Sequence, residues 1–172
     1  MEDIQNKPDT RGIEIHRVGV KDVHLPVLIA TKDGSFQQVL GKFSVAALLP
    51  REYKGTHMSR FMEVLVEWGE KPISGRELKL MLMEVKQRLN APSADISLDF
   101  RYFIPVTAPV SRLRAPLDYP CRFWGRLSED SYEFLLSVEV PVISLCPCSK
   151  AISRYGAHNQ RTIIRADVRC HP

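Results

Sequence analysis

The chain has 172 residues, 44% of them hydrophobic and 26% charged, with 24 Lys and Arg against 20 Asp and Glu. A chain of this length buries roughly 70% of its unfolded surface in one core, and its apolar content excludes a disordered protein. No apolar run approaches the ~20 residues that span a bilayer, Asp3, Lys7 and Asp9 spoil the start as a signal peptide, and four cysteines in so long a chain do not make a disulfide scaffold. The expectation is a soluble, cytoplasmic globular protein.

Residues 1–20 are polar, hold Pro8 and Gly12 and show no sustained period, so they read as an N-terminal arm. Residues 23–30 and 36–48 read as two strands around the turn signal Lys32-Asp33-Gly34-Ser35. In the second, Phe43, Val45 and Ala47 alternate with Lys42, Ser44 and Ala46. The period then changes: Met58, Phe61, Met62, Leu65 and Val66 recur at helical spacing. Ser74-Gly75-Arg76-Glu77 is a capping box that opens a second helix with Leu78, Leu82, Val85 and Leu89 on one face, and Asn90-Ala91-Pro92 stops it.

Strands resume at Ile96, where Ile96, Leu98, Phe100, Tyr102 and Ile104 point one way and Ser97, Asp99 and Arg101 the other. A Pro- and Arg-rich connection over 105–120 leads to a strand around Phe123-Trp124-Gly125. Ser128-Glu129-Asp130-Ser131 reads as a turn, and Tyr132, Phe134, Leu136, Val138, Val140 and Val142 alternate along a long strand. A last strand starts near Thr162. The order ββααββ followed by ββ argues an α+β fold, an antiparallel sheet with a helix pair on one face. Val23-His24-Leu25-Pro26-Val27-Leu28 echoes Val138-Glu139-Val140-Pro141-Val142-Ile143, as if a second module began near Tyr132. Half a module would leave an apolar sheet face for a partner subunit or further chain to cover.

The charge is unevenly placed. From Lys150 onward five basic side chains (Lys150, Arg154, Arg161, Arg165, Arg169) face one acid, Asp167, so the whole excess of +4 lies in the last 23 residues. Arginine forks pair with phosphate oxygens, which points to an anionic ligand. One local cluster is too thin a footprint for nucleic acid.

Chemistry concentrates in Ser144-Leu145-Cys146-Pro147-Cys148-Ser149-Lys150 and Tyr155-Gly156-Ala157-His158-Asn159-Gln160-Arg161. A hairpin returns His158 toward the strand end that carries Cys146, where sulfur and imidazole together suit Zn²⁺. Three readings stay open on the residues alone. One is a structural zinc site of Cys146, Cys148 and His158 with Cys170 or His171, although its spacing is unusual. Another is buried, unreactive cysteines. The third is a catalytic metal or thiolate site, which nearby Lys150 and the arginines would favour. Cys121 reads as core. A second motif, Gly55-Thr56-His57-Met58-Ser59-Arg60, precedes the first helix, where Thr56 or Ser59 could cap and His57 and Arg60 could meet an anion. There is no P-loop, no GxGxxG and no His-Glu-x-x-His.

Together with Thr10-Arg11-Gly12-Ile13 and Val18-Gly19-Val20-Lys21, these motifs resemble the type IB GTP cyclohydrolase I family, and the likeness runs through the whole chain. The resemblance implies a tunnelling fold of tandem ββααββ modules, here 21–131 and the start of a second over 132–172. It implies a homotetramer with active sites at subunit interfaces. The implied reaction converts GTP and water to 7,8-dihydroneopterin 3'-triphosphate and formate by metal-assisted hydrolysis at guanine C8, the entry to folate synthesis. Cys146 and His158 are then the implied metal ligands and catalytic residues. Zn²⁺ follows from the donors, and Mn²⁺ or Fe²⁺ suits a site completed by a carboxylate. Charge, rather than the resemblance, makes Lys150 and Arg161 candidates for the triphosphate, with His57 and Arg60 as further substrate-binding candidates. The family continues well past residue 172, where a third metal ligand and a purine-anchoring glutamate are expected, so the chain alone is expected to be inactive or badly impaired. The rivals are a non-enzymatic module that binds a purine or pterin and a nitrile reductase of the same fold.

Overall fold

The computed structural model describes residues 12–129, 131–155 and 159–170, the side chains of Asn159 and Cys170 excepted. The elements in chain order are β1 (Ile15–Ala30), β2 (Phe36–Leu49), α1 (Met58–Gly69), β3 (Pro72–Ile73), α2 (Gly75–Leu89), β4 (Ser93–Thr107), β5 (Arg114–Ser128), β6 (Ser131–Leu145), α3 (Pro147–Ile152) and β7 (Asn159–Cys170). They form one sheet in the order β3-β1-β2-β4-β5-β6-β7, antiparallel except where the short β3 pairs with β1. This is the α+β arrangement of a tunnelling-type fold, with α1 and α2 packed on one face.

The first hairpin forms where the turn residues predict it. Gly34 takes φ +82°, and the Thr31 and Ser35 hydroxyls and the Ser35 N–H all donate to the Asp33 carboxylate. β1, however, starts at Ile15, so the last six residues of the expected arm are strand. Two register shifts, between Ile15 and Val18 and between Val20 and Val23, explain why no alternation shows there: each bulge resets the two-residue period.

α1 buries Phe61, Val64, Leu65 and Trp68, while Met58 and Val66 of the expected stripe are exposed. The helix lies against β1 beside the sheet edge, so its buried face is narrow and its flanks stay open. α2 follows its capping box: the Ser74 hydroxyl accepts from the Arg76 N–H and donates to Glu77. Leu78, Met81, Leu82 and Val85 are buried, and Asn90 closes the helix in the left-handed region at φ 50°. Gly125 lets α2 approach β5, since a Cβ there would meet Leu78 at 3.0 Å and Leu82 at 3.2 Å.

The expected connection over 105–120 is instead a hairpin. β4 runs to Thr107, the Ala108 N–H donates to the Leu113 carbonyl, and β5 starts at Arg114 with Pro105 opposite Pro116. Prolines usually argue against a strand because they lack a donor. Here they fall where that donor is not needed. The Ala108–Leu113 bond fixes the ladder so that odd-numbered residues of β5 bond to β4 and even-numbered ones face β6. Pro116 and Pro120 therefore interrupt nothing between β4 and β5.

Their cost appears on the other side. β6 pairs with β5 only from Ser128↔Ser131 to Cys121↔Val138. Continued in register, the next bonded rungs would be Pro120 with Glu139, Asp118 with Pro141 and Pro116 with Ile143. Each has a proline on one side and so lacks an N–H. The ladder stops there, and the sheet divides into a β4–β5 arm and a β6–β7 arm. β7 follows β6 from Phe134↔Cys170 to Leu145↔Asn159.

Candidate functional site

Cys146 stands at the end of the β6–β7 arm. It is the N-cap of α3, with backbone φ −66° and ψ 124°, and Pro147 opens the helix behind it. The motif thus opens a six-residue helix, for which proline at the first position is the sequence signal. Ser149 is 3% exposed, and its hydroxyl donates to the Cys146 carbonyl at 2.9 Å; the Lys150 N–H donates to the same oxygen at 3.1 Å. The Cys146 thiol is partly exposed and held below its ordinary range. Hydrogen bonds from the Ser149 backbone N–H and then the Cys148 N–H do most of this, against the opposing pull of burial, and the Cys148 and Ser149 side chains add to it. A thiolate is the form that binds a metal or attacks an electrophile, so the backbone here prepares this sulfur for either task.

Cys148 is exposed. Cys121 is half-buried beside the core in a different segment, and burial pushes its thiol up, which fits the expected inert role. Cys170 pairs with Phe134 at the far end of β6, eleven residues along the strand from Leu145, a span of roughly 36 Å. Within one chain it cannot share a site with Cys146. His158 and His171 lie outside the described residues; Asn159, the residue after His158, pairs with Leu145, the residue before Cys146. Among the described residues no three His, Cys, Asp or Glu side chains gather where they could hold a metal ion.

His57 and Arg60 do not join Cys146. His57, rather than Thr56 or Ser59, is the N-cap residue of α1, with no side-chain cap bond; α1 follows the Leu49 end of β2, and Arg60 Nη1 donates to the Arg88 carbonyl at the end of α2 at 2.8 Å. The register places that end of the sheet beside the starts of β4 and β6, opposite the end where Cys146 sits. Sequence spacing gave no sign of this separation. Lys150 is exposed on α3 itself. Arg161 on β7 pairs with Ile143 on β6 and lines a cavity of about 450 Å³ between the two arms, together with Arg101, Asp118, Tyr119, Glu139 and Pro141. The cavity was not legible beforehand, because the segment supplying Asp118 and Tyr119 reads as a connection.

A family model described as type I GTP cyclohydrolase folE2 matches residues 1–172. The chain belongs to that family. Proteins named GTP cyclohydrolase FolE2 are similar to it throughout. That of Citrifermentans bemidjiense is 46% identical over 169 residues, covering 98% of this chain and 62% of its own length. That of Geobacter sulfurreducens is 47% identical over 169 residues, covering 98% and 65%. That of Nitrosomonas eutropha is 46% identical over 167 residues, covering 96% and 62%. The chain thus spans less than two thirds of the length of these curated relatives. Among the described residues of this folE2 family member, no helix is long and apolar enough to cross a membrane.

Proposed function

We propose that this chain carries part of the active site of a GTP cyclohydrolase I of type IB, converting GTP and water to 7,8-dihydroneopterin 3'-triphosphate and formate at the start of folate synthesis. The observation that supports this most directly is the Cys146 thiol, prepared by two backbone N–H groups at a strand end, in a chain whose family is named for that reaction. Donor chemistry fits a divalent metal. Cys146 supplies a sulfur ready to lose its proton, and His158 would supply the imidazole, with Zn²⁺, Mn²⁺ or Fe²⁺ as the candidate ions. Such an ion, when bound, supplies Lewis acidity for hydrolysis at guanine C8.

The chain's own residues have narrower tasks. Cys146 binds, Ser149 and the Cys148 N–H fix its sulfur, and Lys150 and Arg161 attract the triphosphate. His57 and Arg60 lie at the opposite end of the sheet, so they would reach a substrate only at a neighbouring subunit's site, as a homotetramer with interfacial sites allows. The reading also divides the chain into a first module over 21–131, extended back to Ile15 by β1, and the start of a second over 132–172. It makes the 172-residue chain alone inactive or badly impaired.

The test is GTP turnover, followed as neopterin fluorescence after oxidation and dephosphorylation. It compares the chain alone with a protein of its relatives' length, each metal-free and then with Zn²⁺ or Mn²⁺ restored. Expected are metal-dependent product from the longer protein, little from the chain alone, and a fall to the uncatalysed background in Cys146→Ala. Product that survives Cys146→Ala would remove the thiol from the reaction. A folded, metal-loaded protein that binds GTP without making neopterin would favour the binding module.

A further inference from the structure

Two ladders of the sheet end at the same level. β2 leaves β4 after Lys42↔Asp99, and β6 leaves β5 after Cys121↔Val138, both within one rung of the Phe100↔Cys121 pair that joins β4 to β5. Beyond that rung the β4–β5 hairpin, residues 101–120, is laddered to itself and to neither neighbouring strand. The rung itself is anchored: Phe100 is buried and meets the Phe123 ring edge-on, with centroids 4.8 Å apart. An arm that leaves a fixed base by two strands at one level can bend there, because no ladder to a neighbour crosses the bend.

One side chain stands in for the missing β2–β4 ladder. In continued register Phe103 would pair with Gln38. Instead the Gln37 carboxamide engages both main-chain groups of Phe103: Nε2 donates to the Phe103 carbonyl at 2.7 Å, and the Phe103 N–H donates to Oε1 at 3.0 Å. The next residue of β4 to face β2 is Pro105, which has no N–H to offer. The Arg101–Asp118 ion pair lies within the arm and does not tie it to another strand. A force also acts on the arm. Tyr102, Ile104, Val106, Leu117 and Tyr119 share the face on which Leu98 and Phe100 are buried. Ile104, Val106 and Leu117 stay open to water, beside an apolar groove that Ile29 and Ala30 of β1 also line. Bending toward that face would bury them, which the two bonds of Gln37 oppose.

We propose that the β4–β5 arm is a lid, hinged at the Phe100↔Cys121 rung, held in line with the sheet by Gln37 and closing over the apolar groove when that latch opens. Closure would also withdraw Asp118 and Tyr119 from the cavity between the two arms, so one side chain sets the state of both hollows. The lid is a property of the fold and does not depend on the proposed reaction.

Hydrogen exchange and binding of anilinonaphthalene sulfonate, read together on the folded 172-residue chain, test the lid. In Gln37→Leu the Phe103 amide loses its acceptor and should exchange about tenfold faster. The closed arm should at the same time hide apolar surface and cut the dye fluorescence by about half or more. Gln37→Glu keeps the acceptor and loses the donor, so it should shift both readouts in the same direction by less, and it carries the test if Gln37→Leu does not fold. Gln38→Leu places the same side chain one residue along, on the other face of the strand, and should match the parent. Adding Val106→Glu to Gln37→Leu should restore the dye signal, because closure would then bury a carboxylate. Unchanged exchange at Phe103 would mean that no latch exists. Faster exchange with an equal or larger dye signal would mean that the arm loosens without closing. Either result overturns the lid, as does a dye loss of the same size in Gln38→Leu.

Discussion

A side chain's chemistry here is set mostly by the few residues of the turn that holds it. Cys146 and Asp33 show this at two strand ends. At Cys146, N–H groups of the first helical turn reach back to the sulfur. At Asp33, the Thr31 and Ser35 hydroxyls and then the Ser35 N–H hold the carboxyl down from 3.8 to about 2. The sign of the pH effect follows. A carboxyl whose folded pKa is depressed binds fewer protons in the folded state, so its contribution is fully present above pH 3.8 and is lost as pH falls toward about 2. Carboxyl-detected NMR titration should place the Asp33 midpoint near 2, and Asp33→Asn should make the hairpin's stability insensitive to pH in that window. A midpoint at the ordinary carboxylate value would mean that the hydroxyl cluster does not form in solution.

At the scale of elements, what was legible followed from undisturbed local rules. The capping box at Ser74, the turn at Gly34 and the alternation from Ile96 each act through neighbours in sequence, and each forms where expected. What was missed depends on partners far along the chain. The bulges in β1 are defined by their register against β2. The prolines at 105, 116 and 120 look like breakers until the ladder shows which edge each one faces. The Cys146 motif stands out by its residue types alone, whereas its distance from His57 and Arg60 is a property of the sheet's direction. The prolines invite a direct test. Replacing Pro116, Pro120 and Pro141 together with Val restores three donors and allows the β5–β6 ladder to continue. Hydrogen exchange at Asp118, Glu139 and Ile143 should then slow by about tenfold or more. Unchanged exchange would mean that charge in the cavity between the arms, rather than missing donors, keeps them apart.

For the molecule as a whole, the two faces of the sheet have unlike problems to solve. The helix-free face is threaded by ion pairs, among them Arg122 with Asp99 at 2.5 Å and Lys42 with Asp22 at 3.6 Å, and water can cover it. The opposite face is covered by α1 and α2 only in part. Beyond the start of α2 lies an apolar groove of about 480 Å³, lined by Phe100, Tyr102, Ile104, Tyr119, Val138 and Val140 among others. Ile104 is 45% exposed and Leu117 48%, both on the side to which the buried Leu98 and Phe100 point. Contiguous apolar surface of this kind favours association over solvation. The 172-residue chain should therefore bind the dye anilinonaphthalene sulfonate in its folded state, before any thermal transition. The double variant Ile104→Glu, Val140→Glu should lose at least about half of that fluorescence. Its melting temperature should change little, because charges placed on an exposed face stay in water. If the dye signal persists in the double variant, the exposed apolar surface lies elsewhere, and the groove is closed in solution by the β4–β5 arm folding across it.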